Sequence, residues 1–297
     1  QRGVEGVAYN HATLDHRTYL SDDSLSNALL RNMRTIAIII LLPMLDCFAQ
    51  LPFRKNIISA QNASPAGICE ASNGDLMVLG FTRTCGGANN DILLVRTDPN
   101  GDTIWTKTYG SDSDEYASRL VNAPDSGYVI AGIVDVWEWD SVAFVISVDS
   151  VGDVIWARAY KTVINVHDMA LSDDGGYVLC GNIGNQPPLF EIGSYLMKID
   201  SEGSLLWSRS FAAVARDLTL NSVITTDDGG YLLSGTIWDF DEDLVHGTLI
   251  RTDADGNLLW TKTYRATGGA CGNKLAFEGA VRAIGGGYIV GGACYQS

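Results

Sequence analysis

Two short stretches set aromatic rings directly beside carboxylates: Trp137-Glu138-Trp139-Asp140 and Trp238-Asp239-Phe240-Asp241, the second continuing into Glu242-Asp243. Ring planes next to acids suit stacking on a sugar face with hydrogen bonds to its hydroxyls, or capture of a cation. The same rings also serve to cap apolar gaps between neighbouring elements. A third stretch, Pro187-Pro188-Leu189-Phe190-Glu191, has similar character. A second group of polar residues, Arg119, His167, Asp168, Asn221 and Glu278, stands near the starts of short apolar runs. A His beside an Asp has the parts of a general base, but no nucleophile recurs near it, and no complete catalytic constellation is present. No catalytic residue is therefore assigned. Asp253-Ala254-Asp255-Gly256-Asn257 has the outline of a calcium loop. The parallel stretch Asp149-Ser150-Val151-Gly152 places valine where a ligand oxygen belongs, and no Glu follows at the required distance, so a tight turn is expected instead. The cysteines include no CxxC pair and no His at ligand spacing, so neither a metal site nor a cofactor is expected.

What could position such residues is legible in the spacing of the chain. The pattern D-x-x-G-x-x-x-W occurs four times, at Asp98-Gly101-Trp105, Asp149-Gly152-Trp156, Asp200-Gly203-Trp207 and Asp253-Gly256-Trp260, with Trp periods of 51, 51 and 53. A second pattern, an aromatic after glycine with another glycine four residues on, keeps the same period: Gly127-Tyr128 to Gly132, Gly176-Tyr177 to Gly181, Gly230-Tyr231 to Gly235 and Gly287-Tyr288 to Gly292. Gly74-Asp75-Leu76 to Gly80 is a degenerate first copy. Each repeat reads as four short strands bounded by glycine turns; in the third copy they run over 167–171, 177–181, 195–200 and 205–211. Four strands per unit of about fifty residues is the arithmetic of a β-propeller blade. The four periodic tryptophans are expected to pack between blades.

The blades resemble those of tandem-repeat propellers in exported bacterial proteins, many of them type IX-secreted surface proteins. The resemblance rests on Asp227 to Gly235 and Leu249 to Tyr264 and covers about Phe53 to Gly292. It implies an all-β propeller of four-stranded antiparallel blades. Phe53 stands one period before Trp105 as part of a fourth strand, so the repeats make four complete blades and a partial one that lacks a third strand, which favours a fragment of a larger ring. It also implies that the loops after each second strand share a face with the inter-blade connections, the face that binds ligands in such folds. The candidate ligand-binding residues are then Trp137, Glu138, Trp139, Asp140, Trp238, Asp239, Phe240 and Asp241. Arg119, His167, Asp168, Asn221 and Glu278 would line the channel mouth. A distant similarity to quinoprotein propellers stops at the glycine turn and tryptophan, because no adjacent cysteines exist; a sialidase Asp-box has different spacing. The expected role is a non-catalytic binding or scaffold module for a glycan or an extracellular protein, with a fragment of a carbohydrate-active or quinoprotein-like enzyme as the alternative.

Composition narrows the partners. The chain carries 20 Lys and Arg against 35 Asp and Glu, a formal charge of −15, which repels nucleic acid and anionic membrane surfaces. Met33-Arg34, the apolar run Ile36–Leu45 and the small residues before Gln50 have the layout of a secretory signal peptide. That run is too short to span a bilayer, which takes about 20 residues. The expected organisation is an upstream extension over 1–32, a signal peptide over 33–49 and propeller repeats over 50–297, giving a secreted or cell-surface product with no transmembrane span. An oxidising compartment permits disulfides, and Cys271 with Cys294 is the pair that the blade reading brings to one face.

Overall fold

A computed structural model describes residues 63–83, 89–137, 140–161, 165–183, 193–211, 216–240, 242–266 and 274–295. The expected extension, the signal peptide and a fourth strand expected at Phe53 lie outside these residues. So do Glu138, Trp139, Asp241, the 187–191 loop, Cys85 and Cys271. The described residues form eighteen strands and no helix. Blade 1 comprises β1 (Ala63–Glu70), β2 (Leu76–Arg83), β3 (Asn90–Thr97) and β4 (Thr103–Tyr109). Blade 2 comprises β5 (Asp114–Asn122), β6 (Tyr128–Trp137), β7 (Asp140–Val148) and β8 (Val154–Tyr160). Blade 3 comprises β9 (Asp168–Leu171), β10 (Tyr177–Ile183), β11 (Gly193–Ile199) and β12 (Leu205–Phe211). Blade 4 comprises β13 (Arg216–Thr225), β14 (Tyr231–Asp239), β15 (Leu244–Thr252) and β16 (Leu258–Tyr264), and a final hairpin comprises β17 (Lys274–Arg282) and β18 (Tyr288–Tyr295). Every blade is an antiparallel meander in chain order, as a propeller requires.

The second strands read Tyr-Val-Ile-Ala, Tyr-Val-Leu-Cys and Tyr-Leu-Leu-Ser with little polar alternation because both of their faces are buried. Val129 and Ala131 pack toward blade 3, with Tyr177, Leu179 and Tyr195. Tyr128 and Ile130, on the opposite face of the same strand, pack toward blade 1 with Leu79 and Leu94. Val178 and Cys180 likewise face Leu220 and Leu233 of blade 4. The core therefore lies between blades rather than inside any one of them.

The second glycine of the aromatic pattern answers a recurring β-bulge. The innermost strands slip register between Pro65 and Gly67, Ala117 and Arg119, Leu220 and Ser222, and Phe277 and Gly279. Each bulge presses a carbonyl oxygen onto the facing strand. A Cβ at Gly80, Gly132, Gly181, Gly235 or Gly292 would stand 1.9–2.4 Å from the carbonyls of Ser64, Tyr116, Asn165, Thr219 and Ala276. Only glycine tolerates that approach.

The D-x-x-G turn and the tryptophan pattern are two halves of one inter-blade joint. Asp200 Oδ1 accepts the N–H groups of Glu202 and Ser204 at 2.9 and 2.7 Å, and Gly203 takes φ +80°. Asp253 does the same with Asp255 and Asn257, so this carboxylate caps a turn. Those bonds hold the Asp200 carboxyl below the usual range, and the Asn257 side-chain amide, followed by the backbone N–H groups, does so for Asp253. Across the gap, Trp156 of blade 2 lies against Gly203 of blade 3, and Tyr160 Oη donates to the Gly203 carbonyl at 2.7 Å. Trp105 and Tyr109 repeat this on Gly152, the hydroxyl bond being 2.8 Å. Arg158 stands 5.9 Å over Trp156 and Arg209 5.3 Å over Trp207.

Trp105, Trp156 and Trp207 do pack on the glycine turn of the next blade, but less deeply than the sequence suggested. Trp105, Trp156 and Trp207 are half-buried, and Trp260 is 37% exposed. All four sit on the fourth strands of their blades; Trp105, Trp156 and Trp207 lie against a turn, and Lys262 stands 5.0 Å over Trp260.

Cys294 is disulfide-bonded, whereas Cys69 and Cys180 are free thiols. Its partner lies outside the described residues, where Cys271 is the expected one. Non-reducing peptide mapping should recover the Cys271–Cys294 peptide; recovery of Cys294 joined to Cys85 would overturn that pairing.

Candidate functional site

The aromatic rim is best defined on blade 4. β14 carries Trp238 one residue before its end, and the turn to β15 carries Phe240. Their rings lie 5.2 Å apart at 47°, and the two residues remain 44% and 50% exposed. Asp239 departs from the expectation of a rim carboxylate. Alternation along β14 turns it to the opposite face from Trp238, and it is 2% exposed. An acid that sequence reasoning passed over takes its place. Asp217 of β13 is the register partner of Trp238, and burial pushes its carboxyl above the usual range. Its signal was the pairing itself, which separates the two residues by a whole hairpin. On blade 2, Trp137 and Asp140 face each other as the last register pair of β6 and β7. Their side chains, like Glu138, Trp139 and Asp241, lie outside what is described. Both hairpin ends belong to second-to-third-strand connections, so they occupy the same end of their blades.

Four of the five channel-mouth residues, Arg119, His167, Asp168 and Asn221, bond to a neighbouring blade or hairpin. Arg119 Nε of blade 2 meets Asp168 Oδ1 of blade 3 at 2.5 Å. Asp168 Oδ1 also accepts its neighbour Met169 N–H at 2.8 Å, and Oδ2 accepts Val223 N–H of blade 4 at 3.0 Å. His167 Nδ1 lies 2.8 Å from the Leu220 carbonyl, and Asn221 Nδ2 donates to the Phe277 carbonyl at 2.8 Å. Glu278 is exposed on β17. The cause is the bulge, which aims these positions along the inner rim at the next blade's strand. His167 and Asp168 are thus neighbours in sequence with separate partners, His167 on the Leu220 carbonyl and Asp168 on Arg119, Met169 and Val223.

No family model matches the chain, and no curated protein matches it. Solved structures do. A protein of unknown function from Dyadobacter fermentans shares 11% identity over 82% of this chain and 84% of its own, with a TM-score of 0.46. A gluconolactonase from Xanthomonas campestris shares 16% identity over 77% of this chain and 69% of its own, at 0.43. A putative exo-β-1,3-galactanase from Bifidobacterium bifidum shares 15% over 67% and 72%, at 0.41. At such scores the likenesses carry no argument about function; the propeller architecture rests on the strand order and blade repetition of the chain itself.

One group of metal-capable side chains converges beside the rim, where no metal site was expected. Among the described residues, donor atoms of Asp239, Glu242 and His246 all lie within 4.8 Å of one another. Asp239 and His246 are buried on the same face of the β14–β15 hairpin, whereas Glu242 is exposed and 3.4 Å from Arg265. One imidazole and two carboxylates form a donor set suited to a borderline divalent ion rather than to calcium or magnesium.

Proposed function

We propose that the chain is an exported, non-catalytic propeller that acts as a binding or scaffold module, with a glycan as the preferred ligand and an extracellular protein as the other candidate. The observation that carries this reading is the Trp238–Phe240 pair: two rings held 5.2 Å apart, about half exposed, at a hairpin end where the repeat has no structural use for them. The periodic tryptophans recur because every blade needs a joint; these aromatics break the period. Asp217, across from Trp238, supplies a polar group to orient a hydroxyl. Export is motivated by the Met33 to Ala49 layout and agrees with a disulfide at Cys294. The channel-mouth carboxylate is occupied by Arg119 and backbone donors, which supports a binding role over hydrolysis.

Glycan-array binding of the wild type should be weakened roughly 10-fold by Trp238→Ala or Phe240→Ala at unchanged stability. Binding undiminished in both variants would leave only the gap-capping role for these rings.

A further inference from the structure

The clefts between blades offer an internal comparison. One, of 420 Å³, opens between blades 3 and 4 and is walled by Phe211, Leu218, Ile237 and Ile250. Another, of 370 Å³, opens between blades 1 and 2, and its walls include Tyr109, Glu115, Val134 and Ile146 at the corresponding positions, with Phe144 and Ile92. Strand register fixes the correspondence. Glu115 pairs with Val134 two residues beyond Gly132, as Leu218 pairs with Ile237 beyond Gly235 and Leu275 with Cys294 beyond Gly292. Ala63, opposite Thr82, holds the same place in blade 1. Among the described residues, a position that is Ala or Leu in blade 1, blade 4 and the final hairpin therefore carries a carboxylate in blade 2.

That carboxylate is 6% exposed. Ser111 Oγ donates to Oε1, while Oε2 is buried with no hydrogen-bond partner among the described residues. Burial pushes the Glu115 carboxyl above the usual range, Ser111 opposes the shift, and the charges of Asp91 and Asp114 add to it. No cation is among the groups that shift it. Arg158 belongs to the lining, but its side chain lies against Gly203 of blade 3 and over Trp156. A buried carboxylate oxygen without a partner weakens the fold, so a Leu would be the better residue if packing were the only demand.

We infer that the cleft between blades 1 and 2 binds a small organic ammonium with an apolar body, its N–H group bonding Glu115 Oε2 and its body lying on Phe144, Ile92 and Ile146. Three facts select this class: one unpartnered carboxylate oxygen at the cleft, apolar walls beside it, and two further carboxylates nearby that repel anions. A turn about the terminal torsion, which is soft in Glu, brings Oε2 to the ligand. The cleft is separate from the Trp238–Phe240 rim, so the glycan experiment decides nothing about it.

The test is calorimetric titration of the full chain with 2-phenylethylammonium and with the neutral 2-phenylethanol. The ammonium should bind the wild type, and the alcohol should not. Glu115→Gln should weaken the ammonium at least roughly 10-fold, and Glu115→Leu should abolish binding while raising the denaturation midpoint. Equal binding to wild type and Glu115→Gln, equal affinity for amine and alcohol, or no binding to the wild type at millimolar ligand would each overturn the assignment. A Glu115→Leu protein less stable than wild type would contradict the premise that this carboxylate is not there for packing.

Discussion

Gly203→Val should destabilise the protein by about 4 kcal/mol, a left-handed residue with a side chain costing about 1–2 and the overpacked joint about 1–3. The backbone at Gly203 has φ +80°, and a Cβ there would stand 2.7 Å from Trp156 Cζ3 and 2.8 Å from Arg158 Cγ. The molecule supplies its own control. Gly175 has φ +82° with nothing within 4 Å of its Cβ position, so Gly175→Val should cost the conformational share alone. Denaturant unfolding of the two variants separates the terms. Removing the ring in a Trp156→Ala background should recover much of the Gly203 penalty, because the clash has lost its partner. Equal losses at Gly203 and Gly175 would mean that the D-x-x-G glycine is only a turn residue and that the joint is not tightly packed.

Asp168→Ala should cost about 3 kcal/mol, because it strips a buried hub of its acceptor and leaves N–H groups unpaired. Asp168 is 5% exposed and serves Arg119 of blade 2, Met169 of its own blade and Val223 of blade 4. Asp168→Asn keeps one acceptor oxygen but turns an NH2 donor toward the N–H that met the other, so it should cost nearly as much as Asp168→Ala. Arg119→Ala should cost least of the three, since the Arg119 side chain is 41% exposed and solvent screens its share of the pair. Thermal or denaturant unfolding gives the order directly. A loss of only a few tenths for Asp168→Ala would return this residue to the solvated channel role that the sequence suggested.

The fold was legible because its information is local and repeated. Two patterns keeping one period near fifty residues located the strands, the turns and the blades. The third blade's strands 205–211 and 177–181 were read to within two residues of β12 and β10. The candidate site was only half legible. Trp238 and Phe240 stood out as aromatics that break the period, and they are exposed. Asp239 was misplaced because its face depends on the alternation of β14, and Asp217 was missed because its partner lies across a hairpin. Glu115 was passed over as one acid among many, since nothing in the sequence aligns it with Leu218 and Leu275 until the bulges are placed.

By itself the sequence determined the repeat, the strand content and the turn chemistry, because glycine, aspartate and alternating apolar residues act over a few residues of chain. The tertiary structure alone decided what those motifs do to one another. Trp156 and Gly203, Arg119 and Asp168, and Asn221 and Phe277 are each about one repeat apart and meet only when blades stack. Such a contact has no local signature, since either residue would form its own strand or turn without the other. It exists because a sheet buried on both faces must close its edges against its neighbours.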